Sequence, residues 1–291
     1  MKPWAWITLA VLLVSSLVLI IHLSATAEEF SRYNIGWNGT SDFFSTPGRH
    51  TTRDITSPAD LAGYSNATLL IIAPDREVTM AEGAAYRDFV ARGNTLLLAD
   101  DFGSGTSLLQ SMGSRIIIRP GVLASADRAY ADPYLVVVRP AGDTPFLAQG
   151  SSLVLDQAAT LTGGEPLLTT TVFSWVDETP DGNLTEGEVL GTYTVMAQER
   201  IGSGTLYVIT DPSIFINGMA DPGGSSSNRI FRETVAKAPA PLLVDTSASR
   251  AARVDGMGEI IHTVRSNDEY TFIIAALLMA GILGAWHRRL I

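Results

Sequence analysis

Residues 68–101 read TLLIIAPDREVTMAEGAAYRDFVARGNTLLLADD, and this stretch decides the fold class. It opens with an unbroken apolar run, the composition of a strand buried on both faces of a parallel sheet. Thr79 and Glu82 have the Thr-x-x-Glu spacing of a capping box, with Asp75 an alternative cap upstream. Ala85, Phe89 and Val90 share one face of the helix that follows, and Gly93 stands where a left-handed residue ends it. TLLLAD is the next strand. Strand, helix, strand in this compass is a βαβ unit, which predicts parallel pairing with a right-handed crossover.

Outward from this unit, SLLQSMG (107–113) reads as a short helix and IIIR (116–119) as a third strand. Upstream, TTRDITSPADLAGYS (51–65) reads as a strand, a turn at Ser57-Pro58 and a brief helix, and Asp42, Phe43 and Phe44 begin a preceding helix. The second half is richer in strands: YLVVVRP, SSLVLDQAATL, LLTTTVFSW, GTYTVMAQE and TLYVITD. RIFRETVAK (229–237) reads as a helix with Ile230, Phe231 and Val235 inward. The acidic segment 177–188 is a solvated connection; a calcium-binding reading lacks the EF-hand spacing. The expected core is a mainly parallel sheet with Leu69–Ile72, Leu96–Ala99 and Leu206–Ile209 central and helices on both faces.

The loops after parallel strands gather at one edge of such a sheet, where ligands usually bind. Asp75, Asp100, Asp101, Ser104, Asp211, Ser213 and Asn217 all follow strands in this reading. Each has a structural alternative as a turn or cap residue, worth about 1 kcal/mol. Asp101 or Ser104 is expected to cap SLLQSMG, and Asp211 or Ser213 the turn at Ile214. Asp100, Asp211 and Asn217 are the stronger ligand candidates. The Gly-Ser-Gly triplets at 103–105 and 202–204 lack the lysine of a phosphate loop and the spacing of a dinucleotide fingerprint, and the second reads as a hairpin turn.

Composition bounds the rest. The 291 residues are 46% hydrophobic and contain no cysteine, which excludes disulfides, thiolate nucleophiles and Cys-ligated metal. Residues 7–23 and 270–286 are apolar and edged by aromatics, each about long enough to span a bilayer. Lys2, Arg288 and Arg289 flank them, so both termini are expected in the cytoplasm with the middle outside. That middle holds thirty acidic against seventeen basic residues, a net charge of −13, which argues against nucleic acid and for a domain standing off anionic lipid. The expected division is 1–27 a transmembrane anchor (or a signal peptide ending at the Ala25-Thr26-Ala27 pattern), 28–240 the extracytoplasmic α/β domain, 241–269 a stalk, 270–287 a transmembrane helix and 288–291 a cytoplasmic tail. Asn38, Asn66 and Asn183 head glycosylation triplets in the exterior part.

Two blocks together, LLIIAPDREVTMAEGAAYRDFVARGNTLLLADD and IGSGTLYVITDPSIFINGM followed by Asn228, resemble the class I glutamine amidotransferase-like superfamily. Lying between membrane segments, they resemble the archaeal membrane proteins carrying domain of unknown function 4350, and are similar to auxiliary domains of gliding-motility-type ABC transport systems. The resemblance covers about residues 30–240 and implies a flavodoxin-like sheet with helices on both sides. It does not carry amidotransferase chemistry, because the required Cys is absent and no Gly-x-Ser-x-Gly elbow replaces it. His22, His50, His262 and His287 are scattered, leaving no cofactor or metal site in view. The expected function is a non-catalytic exterior domain binding a ligand, a glycan or a membrane-protein partner, as an accessory of a transporter or envelope complex. The alternative is a carboxylate- or metal-dependent hydrolase or transferase.

Overall fold

A computed structural model describes residue 15 and residues 26–46, 52–127, 129–222, 227–238 and 241–254. The chain divides into two units: Glu29–Arg253, and Met1–Glu28 with Val254–Ile291. Apart from residue 15, the apolar segments at 7–23 and 270–286 lie outside the described residues, as do all four histidines, residues 255–269 of the expected stalk and the tail at 288–291. Among the described residues no helix is long and apolar enough to cross a membrane.

Unit Glu29–Arg253 is a mixed α/β domain built on one large central sheet. The strands are β1 (Thr52–Ile55), β2 (Thr68–Ile72), β3 (Thr95–Ala99), β4 (Ile117–Arg119), β5 (Val122–Ser125), β6 (Leu135–Pro140) and β7 (Leu153–Asp156). They continue as β8 (Thr160–Thr162), β9 (Glu165–Thr170), β10 (Ser174–Asp177), β11 (Thr194–Ile201), β12 (Gly204–Ile209) and β13 (Leu242–Asp245). The helices are few: α1 (Ser41–Phe44), α2 (Met80–Ala91), α3 (Gly105–Ser111) and α4 (Ser227–Ala236).

The sheet order is β1-β13-β2-β3-β12-β11-β9-β6-β7, with β4 and β8 attached beside β11, and β10 with β5 forms a separate two-stranded sheet. The three strands expected at the centre are adjacent and parallel: β2 pairs with β3 from Thr68–Thr95 to Ile72–Ala99, and β3 with β12 from Thr95–Thr205 to Ala99–Ile209. β1, β13 and β2 extend this parallel half. From β12 through β11, β9, β6 and β7 the pairing is antiparallel, so the expectation of a mainly parallel sheet holds for only half of it. The cause is connection length. β11 and β12 are joined by Gly202 and Ser203 alone, a hairpin too short for any crossover, with Gly202 at φ +60°. IIIR likewise pairs antiparallel, with β8, outside the main strand path.

The sheet separates two apolar layers, as strand alternation requires. Leu69, Ile71, Leu96, Leu98, Leu206 and Val208 face one side, packed with Tyr86, Phe89 and Val90 of α2 and Leu108 and Leu109 of α3. Leu70, Ile72, Leu97, Ala99 and Ile209 face the other, against Phe43, Phe44, Phe215, Phe231 and Val235. The capping box forms as expected: the Glu82 amide donates to the Thr79 hydroxyl at 3.3 Å, and the Thr79 amide to Glu82 Oε2 at 2.9 Å. Arg76 reinforces it at 2.8 Å and is the main cause that holds the Glu82 carboxyl down to about 2. Gly93 ends the helix at φ +102°.

Two expectations are corrected. The domain does not end at 240: residues 242–245, assigned to a stalk, form β13, wedged between β1 and β2 and fully buried. Four apolar or strand-ending residues, Leu242 to Asp245, are too short to announce a strand by periodicity; only pairing on both edges makes them one. On α4, Ile230 is 49% exposed, and Arg232 is buried beside Phe231 and Val235, its Nη1 donating to the Ile216 carbonyl at 3.0 Å.

Candidate functional site at the carboxyl edge of the parallel strands

The loops after β2, β3, β7 and β12 enclose a cleft of about 620 Å³, the size range of small-molecule sites. Ala73, Pro74 and Asp75 follow β2, residues 101–104 follow β3 behind Asp100, and Asp156 and Gln157 close β7. Ser213 and Ile216 follow β12; Glu29, Phe30 and Trp37 from the N-terminal segment and Arg250 complete the wall. Arg250 arrives because the chain turns back after β13 and clips onto β2: Ser249 Oγ accepts from the Ile72 amide at 3.1 Å and donates to its carbonyl at 2.8 Å.

Asp100 forms the floor and is 1% exposed. Its Oδ2 accepts the Gly105 amide at 2.7 Å, the first residue of α3. Its Oδ1 is buried and has no hydrogen-bond partner among the described residues. Burial pushes the Asp100 carboxyl up to about 7, assisted by the charge of Asp101 and opposed by the Gly105 amide and, more weakly, by the nearby Gly103 and Asp101 amides. The small-residue loop is shaped to this carboxyl: a Cβ on Gly103 would lie 2.4 Å from Oδ1, and one on Gly105 would lie 2.5 Å from Oδ2.

The expected division of labour between the two aspartates is therefore altered. Asp100, not Asp101 or Ser104, holds the start of α3; the Ser104 side chain makes no cap bond, and Asp101 Oδ1 accepts the Phe102 amide at 2.6 Å. Asp101 and Asp156 both line the cleft, and burial raises both carboxyls. Asp75 lines the rim and is paired with Arg253 at 2.6 Å.

Two ligand candidates prove to be internal. Asp211 is 0% exposed, with Oδ1 on the Ser213 amide at 2.6 Å and Oδ2 on the Asp156 amide at 2.8 Å. Both oxygens are spent on backbone, and burial raises its carboxyl well above the ordinary range. Asn217 clamps the N-terminal segment: Oδ1 accepts the Asp42 amide at 2.9 Å, and Nδ2 donates to the Gly36 carbonyl at 2.7 Å and Ser41 Oγ at 3.1 Å. Neither lines the cleft.

Sequence reasoning missed Glu29, Phe30, Trp37, Asp156, Gln157 and Arg250. Asp156 carried the same signal as Asp100, an aspartate ending an apolar run, inside SSLVLDQAATL. Backbone strain marks the same place. Among the described residues, four non-glycine residues have left-handed φ, and three of them line the cleft: Phe30 at +61°, Ala73 at +46° and Gln157 at +54°. Such conformations concentrate where surrounding structure over-determines the backbone, often at binding sites.

Away from the cleft, the acidic segment 177–188 is organised by its own backbone: Asp177 Oδ2 accepts the Asp181 and Gly182 amides at 3.1 and 2.9 Å. Among the described residues no group of three His, Asp or Glu could hold a metal ion. Of the glycosylation triplets, Asn66 and Asn183 are exposed, whereas Asn38 is half-buried and accepts from Asn34 at 3.0 Å.

A mixed α/β domain with a polar cleft at the carboxyl edge of its parallel strands is the class these features define. The chain belongs to the family described as Domain of unknown function (DUF4350), which it matches over residues 32–228. No curated protein matches it significantly. Among solved structures it is similar to the mmIFT52 N-terminal domain, 17% identical over 63% of this chain and 80% of that one, with a TM-score of 0.47. It is also similar to β-galactosidase from Bacillus circulans sp. alkalophilus, 12% identical, TM-score 0.35, over 60% of this chain but only 23% of the enzyme. Likenesses at these scores carry nothing about activity.

Proposed function

We propose that this chain is a membrane-anchored, extracytoplasmic and non-catalytic domain whose cleft binds a ligand or an element of a partner membrane protein, as an accessory of a transporter or envelope complex. The parallel half of the sheet is read as flavodoxin-like, with the binding edge where such sheets place it. One observation carries the reading: a buried carboxyl at the cleft floor holds its own loop with one oxygen and leaves the other without a partner among the described residues. A buried acceptor of this kind costs about 1–3 kcal/mol unless something satisfies it. Anchoring and orientation rest on the apolar segments at 7–23 and 270–286 and on Lys2, Arg288 and Arg289.

The test uses the full chain, purified in detergent, with Asp100→Asn beside it. Thermal-shift screening against amines, sugars, amino acids and nucleotides is expected to find a class that stabilises the wild type and not the variant. If no class does so, and no membrane protein co-purifies with the wild type alone, the cleft is not a binding site. Protease added to intact cells is expected to remove the domain; cleavage only after permeabilisation would reverse the orientation.

The hydrolase alternative draws on the same Asp100, whose carboxyl near 7 is in the range of a general acid. It predicts turnover of a model ester or glycoside that Asp100→Asn abolishes.

A further inference from the structure

Resting on that reading of the cleft, we infer that its occupant is an organic cation: an alkylammonium or guanidinium group carried on an apolar stem. Five carboxylates line the cleft, Glu29, Asp75, Asp100, Asp101 and Asp156, against one arginine in the wall, Arg250. Both arginines at this edge are already engaged. Arg250 pairs with Glu29 at 3.1 Å and lies over the Phe30 ring at 5.3 Å, and Arg253 pairs with Asp75. Among the described residues no lysine or arginine pairs with Asp100, Asp101 or Asp156. These three therefore form an acidic cluster without a counter-charge, and the unpartnered, buried Oδ1 of Asp100 points to what is missing: a donor.

The chemistry of the donor follows from the walls. An anion would meet uncompensated carboxylates. A hard metal ion needs several oxygens converging on one point, and no such convergence exists among the described residues. The rim is aromatic: Trp37 is 71% exposed and Phe102 is 52% exposed, both lining the cleft. Aromatic faces beside unpaired carboxylates favour a diffuse cation with apolar carbon attached, through cation–π attraction and burial of the stem. A neutral polyol gains the hydrogen bonds but leaves the charges uncompensated.

The charge makes binding pH-dependent. Asp100 is faced by Asp101 on its own loop and shares the cleft with Asp156 at the end of β7, the Asp75–Arg253 pair after β2 and the Glu29–Arg250 pair, while the buried Asp211 interacts with Asp101 and Asp156 from behind the wall. Protonation of Asp100 removes the charge closest to the missing donor, so a cation binds better at pH 8 than at pH 6.

The experiment is calorimetric titration of the full chain in detergent with agmatine and putrescine, with glucose and calcium chloride in parallel. One or both amines are expected to bind, about tenfold more weakly at pH 6 than at pH 8. Asp100→Asn and Asp156→Asn are each expected to weaken amine binding about tenfold at pH 8. Asp88→Asn, an exposed carboxylate on α2, leaves it unchanged, and Trp37→Ala serves as a further cleft variant should Asp100→Asn fold poorly. Glucose or calcium binding that is lost in Asp100→Asn, with no amine binding, overturns the cation while the cleft stands. Amine binding that persists in all the cleft variants overturns the cation at this site. If none of the four binds and broader screening also finds nothing, the cleft reading itself falls.

Discussion

Oδ2 of Asp100 accepts the Gly105 amide at 2.7 Å, so the residue immediately after β3 also holds the first residue of α3. The loop between them is short enough that Gly103 and Gly105 both lie against that carboxyl. Gly103→Ala puts a Cβ 2.4 Å from Oδ1 and 2.5 Å from the Pro74 carbonyl, and backbone cannot yield as a side chain can. A loss of about 1–3 kcal/mol is expected in urea unfolding. Wild-type stability in this variant would show that the loop does not depend on the close approach.

The raised carboxyls give stability a definite pH slope. Asp100 has a folded value of about 7 against an ordinary 3.8, so it favours the folded state when protonated. That contribution is complete below about pH 4 and is lost as pH rises through about 7, amounting to at most about 4 kcal/mol. Asp101, Asp156 and Asp211 shift in the same direction; Glu82, held down to about 2, acts oppositely and only below about pH 4.5. Wild-type stability is expected to fall between pH 5 and pH 8, with a visibly flatter profile for Asp100→Asn. Parallel profiles for the two proteins would remove Asp100 as the source.

Asn217 is assigned to structure rather than to ligand. Asn217→Ala frees the Asp42 amide and the Gly36 carbonyl, at an expected cost of about 1–3 kcal/mol. Hydrogen exchange at Asp42 should accelerate. An unchanged exchange rate there would show that the clamp is not what holds α1.

β13 makes a truncation test. A fragment of residues 28–240 lacks the strand between β1 and β2 and leaves an apolar edge open, and it is expected to be insoluble. A fragment of 28–254 is expected to fold. Tyr86→Phe probes the same junction more gently, since the Tyr86 hydroxyl donates to Asp245 at 2.5 Å in the buried interior. A loss of about 1–3 kcal/mol is expected from calorimetry. A soluble, cooperatively unfolding 28–240 fragment would return β13 to the status of a stalk.

The sequence by itself determined the parallel βαβ heart of this domain. TLLII and TLLLA are apolar at every position, a pattern that only burial on both faces explains, and the Thr79–Glu82 box and Gly93 are local signals whose partners lie within one helical turn. It also brought five of the seven strand-end residues to the cleft, because parallel strands deliver their following loops to a single edge. Only the tertiary structure decided which of those residues are free. Asp100, Asp211 and Asp245 each end an apolar strand, and in sequence they are equivalent. Asp211 spends both oxygens on amides from two segments, and Asp245 divides its oxygens between a local turn and Tyr86, 159 residues away. Among the described residues, Asp100 alone of the three keeps an unpartnered oxygen. Whether a side-chain acceptor is satisfied depends on which distant amide folds over it, and a local pattern holds no record of that. The same reason hid Arg250, which pairs with Glu29, and β13, which pairs with β1: both partners lie far earlier in the chain.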